Sequence, residues 1–201
     1  MTIYMFREKL AAVSVQAATQ TIRNHIDDPV YGYGLFTSDG YGYISDCIFS
    51  ERGLRQVVKE YQQKSFYPDD ATAHRNLKWS PCDSPYQLEN EDLYAECSHI
   101  LRALWEDARN KPEEYGDSLF RELNRVFIES LQTVRALNLF DSACIFSVFA
   151  GDQSNEARVV NGDRMNSVEA CARFESELYI KPLKLERLRR TRWPTDEAYE
   201  A

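Results

Sequence analysis

Three histidines, five cysteines and a scatter of close carboxylates are the residues of this 201-residue chain best equipped for chemistry. His25, His74 and His99 lie far apart, and His99 follows Cys97 by two positions in what reads as one helix, which turns their side chains about 200° away from each other. That spacing does not build a tetrahedral zinc pair, and no Cys-x-x-Cys occurs, so no metal is expected. Cys82 with His74 is the Cys–His pairing to weigh as a nucleophile. Cys82, however, follows Pro81 in a loop, with no helix N-terminus behind it to lower its pKa. Gly32-Tyr33-Gly34 lacks the third glycine and the following helix of a dinucleotide fingerprint, so no cofactor is expected either. Asp28, Asp46 and Glu51 flank that segment, but their spacing does not select acid–base work over solvation at strand ends. No catalytic residue is assigned. Recognition is the chemistry that remains. Asp69, Asp70, Asp83, Glu89, Glu91 and Asp92 gather in and just after the irregular stretch 64–88, interleaved with Tyr67, Trp79 and Tyr86. Acidic groups speed encounter with a basic partner, and aromatic anchors supply the contacts that hold it. A solvated loop with its aromatics turned inward has the same composition, and the sequence leaves both readings open.

The elements that must position these residues are legible from periodicity. Residues 3–26 carry Ile3, Phe6, Leu10, Val13, Ala17 and Ile22 at near-helical spacing. Val30 to Thr37 and Tyr41 to Phe49 are aromatic and β-branched runs, and Asp39-Gly40 between them predicts a tight hairpin. Gly32, Gly34 and Gly42 within it call for a bulge, or for aromatic side chains lying over them. Ser50 supplies an N-cap oxygen for a second helix ending near Gln63. In 64–88, Pro68, Pro81 and Pro85 exclude a continuous helix, Asp69-Asp70 reads as a turn or cap, and Leu77-Lys78-Trp79 as a brief third strand with Trp79 in the core. Helices over 90–109 and 113–138, the latter with Leu119, Phe120, Leu123 and Phe127 on its apolar face, form an antiparallel pair, the second opened by Pro112. Residues 143–150 read as a central strand covered on both faces, and 151–162 as a polar loop. Asn166 and Glu169 have capping-box spacing for a helix to about Leu178. The basic run 181–192 closes the domain. The expected fold is α+β, or a loosely wound α/β: one domain over 1–192, a small sheet, about five helices, and a frayed tail over 193–201.

Composition narrows the function classes. A hydrophobic fraction of 43% supports a real core. With 24 Lys and Arg against 32 Asp and Glu, the formal charge is −8, which repels nucleic acid and suits a basic partner. The start MTIYMFREKL has no secretory leader, and no apolar run is long enough to span a bilayer, so the expected location is the cytoplasm, with reduced thiols.

The motif YGYGLFTSDGYGYI, followed by a helix opening near Ser50, resembles an uncharacterised bacterial family whose members share an aromatic strand, a tight turn and a second strand near the N-terminus. They resemble the single-domain proteins encoded beside polymorphic toxins, where small acidic neighbours commonly serve as immunity proteins. The resemblance brings no catalytic signature. It implies a cytoplasmic immunity protein that neutralises a cognate, basic toxin domain by stoichiometric occlusion of its active site, as a monomer or a toxin–immunity heterodimer. The partner-binding residues expected on this reading are Asp69, Asp70, Asp83, Glu89, Glu91, Asp92, Tyr67 and Tyr86. The alternative is a small cytosolic hydrolase acting on a nucleotide or a modified protein near the glycine-rich hairpin.

Overall fold

The computed structural model describes residues 2–38, 41–151, 153–180 and 185–186. The expected turn residues Asp39-Gly40, most of the basic run 181–192 and the tail 193–201 lie outside them. The order is α1 (Ile3–Asn24), β1 (Val30–Thr37), β2 (Ile44–Ser50), α2 (Glu51–Gln63), α3 (Asp70–Leu77), a 3-10 turn (Pro81–Asp83), α4 (Glu91–Ala108), α5 (Glu113–Ala136), β3 (Ile145–Ala150), α6 (Asn155–Gly162) and α7 (Val168–Glu177). The class is α+β, with seven α-helices among the described residues where about five were expected.

The three strands form one sheet in the order β2-β1-β3, with β2 antiparallel and β3 parallel to β1. The apolar run near Cys144 is therefore an edge strand, and the hairpin's first strand holds the centre. Both faces of β3 are nevertheless covered, as its composition required: all six of its residues are buried. One face of the sheet presents Tyr33, Leu35, Ile48, Phe146 and Val148 to Phe6 and Leu10 of α1, Leu101 of α4 and Phe127 of α5. The other presents Phe36, Cys47, Phe49, Ile145 and Phe149 to Trp79, to Val159 and Val160 of α6 and to Phe174 of α7. Alternation along each strand sends neighbours to opposite cores.

The glycines follow from this packing. A Cβ at Gly32 would enter the Trp79 ring, and one at Gly34 would collide with the Ser147 carbonyl oxygen and the Phe149 ring. The expected aromatic cover is present over Gly32 and Gly34, drawn from the α3 exit and from β3 as well as from the facing Phe49, but not over Gly42, where a Cβ would meet only the Ser38 hydroxyl. Register slips between Val30 and Gly32, the bulge that the glycines allow.

Both outer edges of the sheet are closed by side chains. On β2, Ser98 Oγ accepts from Ile44 N at 3.2 Å, and Ser84 Oγ donates to the Ile48 carbonyl at 2.6 Å. On β3, Asn166 accepts from Phe146 N at 2.8 Å and donates to Phe146 O at 2.7 Å. Asn161 donates to Val148 O, and Gln153 accepts from Ala150 N.

Five further expectations need correction. Leu77-Lys78-Trp79 is not a strand: Pro68 and Pro81 leave room between them for α3, capped by Asp69 Oδ1 accepting from Thr72 N at 2.7 Å. The polar segment 151–162 contains α6, because Ala157, Val159 and Val160 bring an apolar face onto the sheet. Ser167, not Asn166, caps α7, since Asn166 is committed to the edge of β3. The second strand starts at Ile44, because Tyr41 takes a left-handed φ of 53° and packs its ring on Phe127. Phe120, placed in the buried stripe of α5, is exposed and touches only the edge of that aromatic group through Tyr41.

Candidate functional site

The sequence leading to an exposed aromatic group begins with α2. Ser50 Oγ accepts from Gly53 N at 3.0 Å and the buried Asp28 carboxylate accepts from Arg52 N at 3.0 Å, so two of the helix's free N–H groups are satisfied. Leu54 and Val57 anchor its inner face against Ala73 and Leu77 of α3. At the other end the chain reverses sharply. Ser65 adopts φ 54°, its N–H donates to Gln62 O, and Phe66 N donates to Tyr61 O at 3.1 Å. This reversal projects Phe66 into solvent, 66% exposed.

Around Phe66 the other rings are ordered. Tyr61 lies 5.3 Å from Phe66 and stacks on Tyr67 at 5.9 Å between centroids, with Lys64 Nζ over the Tyr61 face. The Tyr61 hydroxyl donates to Asp83, and Ser80 Oγ donates to the same carboxylate. The Asp83 bond, with some burial, pushes the phenol up to about 12. Asp69 is held below the usual carboxylate range by the Thr72 backbone N–H, which favours its charged form, and Asp70 beside it is exposed. Asp83 is therefore joined to this aromatic group through Tyr61, while Asp69 and Asp70 follow Tyr67 by two and three residues at the start of α3.

The remaining expected residues lie elsewhere. Tyr86 packs its ring 4.3 Å from His25, approaches the Gly53 backbone closely and donates to Asp28 at 3.1 Å. Glu89 pairs with His25 Nε2 at 2.7 Å and accepts from Asn24 at 2.7 Å, tying the start of α4 to the end of α1. Glu91 and Asp92 open α4 and line a groove of ≈ 460 Å³ with Tyr43, Ser98 and Arg102. One acidic cluster in sequence is thus three neighbourhoods in space, and Trp79 is core.

Phe66 and Tyr61 are the members of the patch not singled out from sequence. The available signal was Ser65-Phe66-Tyr67 directly after the apolar period of α2 stops, where an aromatic pair has no helix face left to join.

Nucleophilic chemistry has little footing here. Cys82 is exposed, but burial of its thiol and the adjacent Asp83 push its pKa up, which suppresses the thiolate. Rings and backbone fill the space over Gly32 and Gly34. Among the described residues no group of three or more His, Cys, Asp or Glu is placed to hold a metal ion, and no helix is long and apolar enough to cross a membrane.

No curated protein and no solved structure matches the chain. Residues 10–166, from the first helix through β3 and α6 to the Asn166 that seals the sheet edge, match the family model described as a domain of unknown function, DUF4303, and the chain belongs to that family.

Proposed function

We propose that this DUF4303 protein is a binding protein of the immunity type, neutralising a basic toxin domain by stoichiometric occlusion of the toxin's active site. The observation that carries the reading is the group at the end of α2: Phe66 exposed beside the stacked Tyr61 and Tyr67, with Asp83 bonded to Tyr61 and the exposed Asp69 and Asp70 next in sequence. Interfaces are held by a few aromatic anchors and steered by charge at their rim. The net charge of −8 adds a long-range field of the right sign for a basic partner. The likeness of the hairpin motif to proteins encoded beside polymorphic toxins supplies the partner class. A hydrolase centred on the hairpin is the weaker reading, since Trp79 and Phe149 occupy the space a substrate would need.

The test is co-purification with the C-terminal domain of a toxin encoded next to the gene, followed by a titration of toxin activity. The expected result is full inhibition at one protein per toxin. Protection at far below one equivalent would refute binding as the mechanism. Phe66→Ala should raise the off-rate at least tenfold. Asp69→Asn with Asp70→Asn should chiefly slow association at low salt, because Asn keeps the α3 cap while removing the charge. Unchanged rates in both variants would show that the patch is not the docking surface.

A further inference from the structure

The start of α4 is fastened inward at the expense of its own cap. Asn90 stands at the N-cap position, where an asparagine side chain ordinarily accepts from the first free N–H groups, yet it makes no such bond. Its side chain turns to the core instead: Nδ2 donates to Asp46 Oδ2 of β2 at 2.6 Å and to Thr21 Oγ1 of α1 at 3.2 Å. Two residues earlier, Leu88 takes a left-handed φ of 64° with its side chain exposed. That conformation is strained for a leucine, and burial of the side chain does not offset it. Glu89, between the two, is tied to His25 and Asn24 at the end of α1.

The group that Asn90 grips is short of donors. Asp46 and Asn90 are both buried, and Asp46 Oδ1 and Asn90 Oδ1 each lack a hydrogen-bond partner. Asp46 makes no ion pair among the described residues. With the carboxylate ionised, two buried acceptors have nothing to accept and a buried charge has no counter-charge. A proton on Asp46 supplies a donor and removes the charge. The titratable groups facing it are Tyr33 from β1, Cys47 beside it on β2, Tyr94 from α4, and Glu89, which His25 of α1 meets on its far side. Burial, with a smaller push from Glu89, holds the carboxyl up at about 6 against the bonds from Asn90 and Tyr33.

We infer that Asp46 and Asn90 form a proton-controlled latch on the start of α4, closed when the acid is protonated and released when it ionises, with Asn90 then free to swing out and cap the helix. Release has three rewards: Leu88 returns to an ordinary φ, the helix gains its missing cap, and the carboxylate meets water. In the released state the hydrated carboxyl titrates near its ordinary value of about 4. The closed state therefore holds the proton more tightly. Closure is full below about pH 4 and is lost as pH rises through 6, with release favoured by up to about a hundredfold for a shift of roughly two units. The latch goes beyond the binding-protein reading and does not depend on it.

The test is backbone hydrogen exchange followed by NMR on the full chain at pH 5 and pH 8, expressed as protection relative to an unstructured peptide at the same pH. The Glu91 and Leu93 amides, which donate to Leu88 O and Asn90 O, report the latch. The Phe127 amide, inside α5, reports global unfolding. The expected result is protection at Glu91 and Leu93 that falls about tenfold from pH 5 to pH 8, to well below that of Phe127, with the Asn90 side-chain amide signals moving over the same interval. Asp46→Asn keeps the shape of the neutral acid and a donor, so it should hold the latch closed and abolish the fall. The inference is overturned if protection at the two amides does not change with pH, if it falls only in step with that of Phe127, or if Asp46→Asn retains the fall. None of these outcomes bears on toxin neutralisation, so the two readings fail separately.

Discussion

Asp46 shows how a single charge can shape the behaviour of this core. Its carboxylate is wholly buried on β2, Oδ2 accepts from Asn90 at 2.6 Å and from the Tyr33 hydroxyl at 3.4 Å, and Oδ1 has no hydrogen-bond partner. Burial outweighs the Asn90 bond and pushes the carboxyl up to about 6. The folded value lies above the unfolded one, so the folded state holds the proton more tightly. Stability from this group is full below about pH 4 and is lost as pH rises through 6, by about 3 kcal/mol at most for a shift of roughly two units. Asp46→Asn should remove that slope, so its denaturant midpoint should exceed the wild type's at pH 8 and converge with it near pH 4. A difference independent of pH would mean that folding does not shift this carboxyl. Phe146 makes the complementary point for an apolar residue. It is fully buried between Tyr33 and Phe140, and Phe146→Ala should cost about 3–5 kcal/mol in a denaturant melt. A loss under about 1 kcal/mol would mean the ring is not packed as described.

The elements were unevenly legible. Long apolar periods gave α1, α4 and α5 to within a few residues, and two β-branched runs gave the hairpin, because each signal repeats many times over one element. Short elements escaped. Helices α3 and α6 have eight residues each, too few for a period to declare itself, and their helicity comes from caps at Asp69 and Ser154 and from tertiary packing. The place of β3 in the sheet was not readable either, since apolarity on both faces reports cover and not which strands are neighbours. Of the exposed patch, Tyr67, Asp69, Asp70 and Asp83 were found by composition, while Phe66 needed the backbone reversal at Ser65. The open concavity lined by Ile22, Val30, Leu139 and Arg173 draws on α1, β1, the α5–β3 connection and α7, and local pattern does not bring such distant segments together. Asn166 is the clearest case of a role visible only in space. It looked like a helix cap and instead pairs with both backbone groups of Phe146. Asn166→Ala should leave α7 capped by Ser167 but strip those two bonds, costing about 1–3 kcal/mol. Hydrogen exchange at the Phe146 amide should quicken well before that at Tyr33 in the central strand. Equal protection at both would assign the edge bonds no weight.

For the molecule as a whole, the five thiols are free and sort by depth. Cys47, Cys97 and Cys144 are buried, and burial pushes Cys144 up to about 12 and Cys97 to about 11. In the native protein a thiol reagent should therefore modify Cys82 first and leave those three untouched until unfolding, when all five react. Native labelling of Cys47 at the rate of Cys82 would contradict the sheet cover over β2. The closed edges of the sheet reach further than stability. Backbone pairing is the one form of recognition that ignores side-chain identity, and here serine, asparagine and glutamine side chains already hold much of the backbone it would use. A partner is then left to read this protein mainly through its side chains. On the proposed binding reading, specificity would be rewritten one exposed residue at a time, as at Phe66 or Asp70, with the fold beneath unchanged, so that related chains could change partner without rebuilding their scaffold.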